Sequence, residues 1–440
     1  MRFVSELVRT LARNQLPRGS DWSRIVANAG WLLFDRIARA LLGLMVGAWV
    51  ARHLGPSQFG LLTFVASYVA MFLTFATLGT EAIIVRDVAR DPGNAEAILG
   101  SALALRVAAG IICWVGAVLG VAMFGDHQDT STVALTAVVG GILAFQAGDV
   151  IDLWFQSQSK SRLTVIAKLC SYLVASAIRV LLILTDAPLL AFAAVTALDA
   201  CGSVVALAIT YRHLRTNHAW KVVRKTVRTI LRESWPFMLS GFAIMVYMRI
   251  DQLLINRILG SEQLGIYAAA LPLSQLWQIV PVTIATSIAP MLSRTRVSDP
   301  DLYQRLIVLT FRLFFYYGVL SVILTYLTSE FIVYQLFGSR FSAAAAVLDI
   351  YSLSNVFCFL GIAHNLWLVN ENRFAVRLYG TILAGCVTIF INILLLPRIG
   401  LLAACYAAIL SQAIAAFIIN YFLDRASFRL QCSAILFTRT

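Results

Sequence analysis

Apolar runs of about twenty residues, repeated along almost the whole chain, limit what this sequence can fold into. They fall near 26–51, 58–80, 99–124, 132–155, 163–185, 188–211, 236–257, 263–291, 306–328, 345–369, 378–396 and 400–423. At 1.5 Å rise per residue, each is long enough as a helix to cross a hydrocarbon core of about 30 Å. Inside a bilayer every backbone polar group must be satisfied internally, which leaves helices or a closed barrel. The runs lack the two-residue alternation of barrel strands. The expected fold class is therefore an all-α polytopic membrane protein with about 12 transmembrane helices. A chain that is 60% hydrophobic and 13% charged, with mean hydropathy +0.81, agrees. The segment Phe331 to Phe341 is apolar but too short to span, and is expected at the outer interface or at the start of the tenth helix.

The net charge of +13 does not point to nucleic acid, because the cations are segregated. One set of alternate loops and tails holds 24 Lys and Arg residues, while the other holds only Arg52, Arg257, Arg340 and Arg398. Basic loops are retained in the cytosol, so both termini are expected to be cytoplasmic. Residues 1–25 form a basic cytosolic tail, with a short surface helix expected over Phe3 to Leu11. The tail has no long apolar region, so no cleaved leader is expected. Six of the seven Cys residues lie inside apolar runs and no C-x-x-C spacing occurs, so no metal or disulfide framework is expected.

The chain also repeats itself. Arg52-His53-Leu54-Gly55-Pro56-Ser57-Gln58-Phe59-Gly60 returns as Arg257-Ile258-Leu259-Gly260-Ser261-Glu262-Gln263-Leu264-Gly265, at a constant offset of 205. Asp152-Leu153-Trp154-Phe155 closes span four, and Asn365-Leu366-Trp367-Leu368 echoes it near the close of span ten. The longest basic connector, 212–235, divides the copies into an N-lobe, 26–211, and a C-lobe, 236–423, followed by a cytosolic tail, 424–440. Six helices per copy make the copies parallel, related by a pseudo-twofold along the membrane normal. Each Gly of the repeat is read as a tight exit between paired spans. In span eight Pro272, Pro281 and Pro290 recur every nine residues, and each is expected to bend the helix.

Seven cations lie within the spans: Arg36, Arg39, Arg106, Lys168, Arg179, Arg249 and Arg312. A cation at mid-membrane costs about 2.5–3.5 kcal/mol on the lenient insertion scale, so it persists where it lines a polar cavity or meets an acid. Arg249 lies thirteen residues from Pro236, about 20 Å along the helix, too deep for easy snorkelling. Arg36 and Arg39 are three apart, on one helix face. Arg106, Lys168 and Arg312 lie nearer the cytosolic ends, where snorkelling or pairing with Asp149, Asp152 or another acid stays open as the alternative. Cations converging on a cavity without a matching acid cluster suit a polyanion, and the arginine fork matches phosphate oxygens. The candidate substrate-binding set is Arg249, Arg36, Arg39, Arg106, Arg312, Lys168 and Gln156. Asp199 and Asp251 are candidates for ion coupling. Trp277 and Gln278 could meet sugar, whereas Trp154 and Trp367 are expected in the interfacial belt.

The repeated Arg-x-Leu-Gly passage, Met248-Arg249-Ile250-Asp251-Gln252-Leu253-Leu254, Gly265-Ile266-Tyr267-Ala268-Ala269-Ala270 and Trp154-Phe155-Gln156 together resemble the polysaccharide, or O-antigen (Wzx-type), flippases. These form a branch of the multidrug/oligosaccharidyl-lipid/polysaccharide exporter superfamily. The resemblance covers roughly residues 22–424. It implies movement of an undecaprenyl-diphosphate-linked oligosaccharide between leaflets by alternating access. Arg249, Arg36 and Arg39 would hold the diphosphate. The lipid II flippases of the superfamily generally have two further spans, which this chain lacks. Implied partners are the lipid-linked oligosaccharide, membrane lipid, a polysaccharide polymerase and a chain-length regulator. No cofactor is expected, with energy drawn from a proton or sodium gradient or the membrane potential. The competing class is a multidrug or cation antiporter of the same fold, for which Asp199, Asp251 and Asp349 would be the coupling acids. An enzyme is not expected: the outer loops are short, and there is no nucleotide-binding Gly-rich loop or His cluster.

Overall fold

In the computed structural model the described residues are 20–124, 130–158, 160–214 and 220–436, and helices form every regular element among them. The N-terminal residues 1–19, with the expected helix at Phe3 to Leu11, lie outside the described residues. The N-lobe begins with α1 (Ser20–Thr77), in which spans one and two run on through a bend at Gly55 (φ 75°, ψ 171°). It continues with α2 (Glu81–Arg90), α3 (Ala95–Phe124), α4 (Thr130–Phe145), α5 (Val150–Ser157), α6 (Ser161–Leu184) and α7 (Leu189–His213). The C-lobe holds α8 (Arg224–Leu259), α9 (Ser261–Leu276), α10 (Ile279–Ser298), α11 (Pro300–Phe337), α12 (Ala343–Ser352), α13 (Ser354–Asn370) and α14 (Phe374–Ile399). It ends with α15 (Leu401–Ala413), a π-turn at Ile414–Ile418, α16 (Ile419–Leu423) and α17 (Arg425–Leu436). Among the described residues 11 stretches are long and apolar enough to span, and the bend at Gly55 divides the first into two, giving twelve.

Local chemistry explains where the spans break. Span eight is interrupted at Trp277 and Gln278, between α9 and α10. Residue 277 is four before Pro281, the carbonyl that a proline ring both clashes with and leaves without a donor. Pro272 and Pro290 are accommodated inside their helices. Span four has no proline and breaks instead at a 3₁₀ turn, Gln146–Asp149, where the Gln146 amide donates to the Asp149 carboxylate.

Several expectations need correction. Phe331 to Phe341 neither lies at the interface as a separate segment nor opens span ten. Residues to Phe337 complete α11, and Ser339–Phe341 form a 3₁₀ turn with Phe341 fully buried. The connector 212–235 is helical from Arg224 onward, as the first turns of α8. The tail beyond 424 carries α17, whose Ser427 and Gln431 are buried and which packs against α11. Trp154 and Trp367 do not face lipid. Both are buried, Trp154 against Phe155 and Tyr211 and Trp367 with its Nε1 donating to Asp424 at 2.9 Å. They are matching anchors that tie the basic ends of spans four and ten to the ends of spans six and twelve.

The repeated passage is where the lobes meet. Gly260 has φ 90° and ψ 171°, almost the conformation of Gly55, in the region that favours glycine. Five residues on, Gly60 and Gly265 cross with no room for a side chain. A Cβ on Gly60 would lie 1.7 Å from the Ser261 carbonyl oxygen, and one on Gly265 would lie 1.9 Å from that of Pro56. Residues 56 and 261 are themselves repeat partners, so the contact is reciprocal, as across a twofold axis. Around it Ala48 and Ala51 of α1 bury with Ile255, Leu264 and Tyr267 of the C-lobe. This closes the bundle at the end away from the basic loops.

Candidate functional site

Below that closure the seams between the lobes carry two of the intramembrane arginines, Arg39 and Arg249. At one seam a cavity of about 370 Å³ lies between α1 and the broken span eight. Arg39, Gly43, Pro272, Gln275, Gln278 and Thr283 are among its walls. The break that Pro281 imposes turns the span here, so both Gln275 before it and Gln278 at it reach the cavity. The Arg39 guanidinium stacks over the Tyr172 ring of α6 at 5.3 Å, a cation–π contact that steadies the charge without neutralising it. Arg36 is one turn earlier on α1, and its side chain lies outside the described residues.

Arg249 occupies the other seam, where α8 packs on the second half of α1. Its Nη1 donates to Gln252 Oε1 at 3.4 Å, and the same oxygen accepts from the Ser67 hydroxyl across the seam. Counted by the repeat offset, position 249 matches Leu44, which lines the Arg39 cavity. The two arginines are therefore five positions, about one and a half turns, out of register between the two lobes. Next to Arg249, Asp251 turns into the C-lobe, where it accepts from the Tyr267 hydroxyl at 2.6 Å. Asp199 sits within the N-lobe and accepts from the Ser171 hydroxyl at 3.2 Å.

Arg249 is not among the residues that line the Arg39 cavity, and the remaining candidates are not brought to it either. Lys168 Nζ lies 2.7 Å from Asp152 and 3.0 Å from Asp149, and Gln156 donates to Asp152 at 3.2 Å. Arg106 is almost fully buried beside them, its Nε donating to Thr80 at 3.0 Å. Lys168, Gln156 and Arg106 form one cluster inside the N-lobe, where Asp149 at the end of the 3₁₀ turn and Asp152 of α5 answer the cations. Arg312 Nε donates to the Ala434 carbonyl at 3.2 Å, placing a positive charge at the C-terminal end of α17.

A second cavity, of about 550 Å³, lies within the C-lobe and shares the Val282 wall with the first. His364, Asn365, Arg377 and Gln412 line it, with Arg377 Nη1 donating to Asn365 at 2.8 Å. Nothing in the sequence singles out Arg377, which reads as one more basic loop residue. Its proximity to the membrane end of α14 was the available signal.

Comparisons with known proteins agree with this architecture. No curated protein matches the sequence. An inward-facing multidrug resistance MATE family transporter of the MOP superfamily superposes with TM-score 0.73 at 15% identity, over 90% of this chain and 96% of that one. An outward-facing MATE family transporter gives 0.63 at 15% identity, over 96% and 98%. The lipid II flippase MurJ, in an inward closed conformation, gives 0.70 at 11% identity, over 93% and 91%. At these identities the likeness is one of fold. A family described as polysaccharide biosynthesis protein matches residues 25–296, from the first span through the end of the broken span eight. With that match across more than half its length, the chain belongs to the polysaccharide biosynthesis protein family.

Proposed function

We propose that this protein is a flippase for a polyprenyl-diphosphate-linked oligosaccharide. It would carry the headgroup from the cytosolic to the periplasmic leaflet of a bacterial inner membrane by alternating access, supplying cell-surface polysaccharide synthesis. The observation that carries the reading is Arg39 lining a cavity between two lobes whose far end is closed around Gly60 and Gly265. Family membership supports the polysaccharide context. The clustering of basic residues at the end away from that closure supports cytosolic termini. In this reading Arg39 and Arg249, with Arg36, hold the diphosphate, and Gln275 and Gln278 meet sugar hydroxyls. Asp251 is the better of the two coupling candidates, since a carboxylate buried against a tyrosine hydroxyl would bind a proton or sodium ion in exchange for a rearrangement around α8 and α9. A polymerase and a chain-length regulator would act on the product.

The test is deletion of the gene with analysis of lipid-linked intermediates. A completed diphospholipid oligosaccharide should accumulate on the cytosolic leaflet while surface polysaccharide is lost. Unchanged polysaccharide with altered drug sensitivity would replace this reading with the antiporter. Arg39→Ala and Arg249→Ala should each insert normally and fail to complement.

A further inference from the structure

The C-lobe cavity has a second opening. A groove of about 560 Å³ runs between α8 and α14, and apart from Ser240, Tyr247, Arg377 and Thr381 its walls carry no polar side chain. Leu239, Phe242 and Val246 form one bank, and Ile382, Cys386 and Ile389 the other. Tyr247, Arg377 and Thr381 line both this groove and the polar cavity, so the two spaces meet at a cation. From Arg377 to Ile389 is twelve residues, about 18 Å along α14. One leaflet of a bilayer has about 15 Å of hydrocarbon. The groove therefore begins at headgroup level, at Arg377, and follows the helices to the membrane midplane.

We infer that this groove binds the isoprenoid tail of the transported lipid as it enters, with Arg377 receiving the diphosphate at the junction before it passes to Arg39 and Arg249. The assignment rests on the flippase reading and adds a location for the tail. Three features select one amphiphilic occupant. The groove walls offer dispersion contact and water exclusion but almost no hydrogen bonds, which suits hydrocarbon. The mouth offers a guanidinium that Asn365 orients without cancelling its charge, which suits phosphate. The polar cavity beyond is walled by His364, Asn365 and Gln412 and shares the Val282 wall with the Arg39 cavity, which suits a hydrophilic headgroup. A single molecule with all three parts fills the path without leaving any part in the wrong medium. An ordinary phospholipid would fill the groove and leave the cavity vacant.

The test measures binding to the purified full-length protein in nanodiscs by native mass spectrometry. Three probes are used: undecaprenyl diphosphate, inorganic diphosphate and phosphatidylglycerol. Cys386→Trp and Ile382→Trp fill the groove from two positions, and monodispersity reports whether each folds. Both should weaken undecaprenyl diphosphate roughly tenfold or more, the scale of losing contact for a few buried methylenes. Inorganic diphosphate should be unaffected by them, while Arg377→Ala should weaken both diphosphates. If the two Trp variants fold and bind undecaprenyl diphosphate as the native protein does, the tail lies elsewhere and the groove assignment falls while the flippase stands. If phosphatidylglycerol displaces undecaprenyl diphosphate at equal concentration, the groove is a general lipid site and the assignment also falls. If the native protein binds no undecaprenyl diphosphate at all, the flippase reading itself falls with it.

Discussion

Gly60 and Gly265 are the smallest residues in the structure with the most specific demand. An alanine at either would place Cβ under 2 Å from a backbone carbonyl oxygen of the opposite lobe, so a main chain must move. Overpacking of this kind costs about 1–3 kcal/mol, and here it falls on the closed state alone. Gly60→Ala and Gly265→Ala should therefore fold and insert but open the far end, seen as faster labelling of a Cys introduced at Ser57. Unchanged labelling would mean that the closure is not held at this crossing. Lys168 poses the opposite question, because it sits between Asp149 and Asp152. Removing one partner of a buried charge pair costs about 3–5 kcal/mol, and the part-exposure of Lys168 lowers that to about 2–3 kcal/mol. Lys168→Met should lower thermal stability by that amount, and Lys168→Met with Asp152→Asn should recover part of it. A Lys168→Met protein of native stability that fails to transport would instead return Lys168 to the substrate.

At the level of elements, the structure gives the C-terminal helix a defined seat. Asp424, fully buried, accepts from Trp367 Nε1, from Arg373 Nη1 at 2.8 Å and from the backbone N–H of Ser427. One carboxylate thus joins the end of span ten, the start of α14 and the first turn of α17. Asp424→Ala should cost about 1–3 kcal/mol, the range for losing hydrogen-bond partners of buried polar groups. It should also accelerate amide exchange across 425–436 ahead of the rest of the chain. Uniform exchange would show that α17 is held by its apolar contacts instead. Breaks in spans four and eight follow the same economy of local causes. Pro281 dictates one, while the other depends on Gln146 reaching its own acid three residues on.

For the whole molecule, alternating access requires the lobes to separate at the end that is now closed. Ser57 Oγ and Ser261 Oγ are 3.4 Å apart across the closure, one on each lobe. A Ser57→Cys, Ser261→Cys protein should form a disulfide in an oxidising compartment and lose transport, with activity restored by reductant. Transport that continues with the bridge intact would exclude separation at this point. At the basic end the lobes also touch, through Arg86 of α2 and Glu233 of α8 at 2.6 Å. Arg86 is held charged, its pKa raised by hydrogen bonds to Asp87 and then Glu233. Both partners are substantially exposed, and surface ion pairs contribute about 0–1 kcal/mol. The closer contact at this end is made by Gly79, where a Cβ would lie 2.6 Å from the Met238 backbone nitrogen.

The amino-acid sequence by itself determined the twelve spans, their grouping by six and the position of the repeated turns. Span length is a one-dimensional quantity measured against a fixed hydrocarbon thickness, and a glycine forced into positive φ announces itself locally. What the sequence left open was the rotation of each helix about its axis and the choice of neighbour. Lys168 and Arg39 are both cations within apolar runs, yet one meets two carboxylates 16 and 19 positions away while the other meets a cavity wall more than 230 positions on. Trp154 and Trp367 sit at span ends like belt residues but turn inward, because Tyr211 and Asp424 are there to receive them. Hydropathy does not distinguish these outcomes, since a buried seam between helices and a lipid-facing surface are equally apolar. The repeated passage shows both limits at once. Its turns were legible in Gly55 and Gly260, but only the assembled lobes brought Gly60 against Ser261 and made a sequence repeat into an interface.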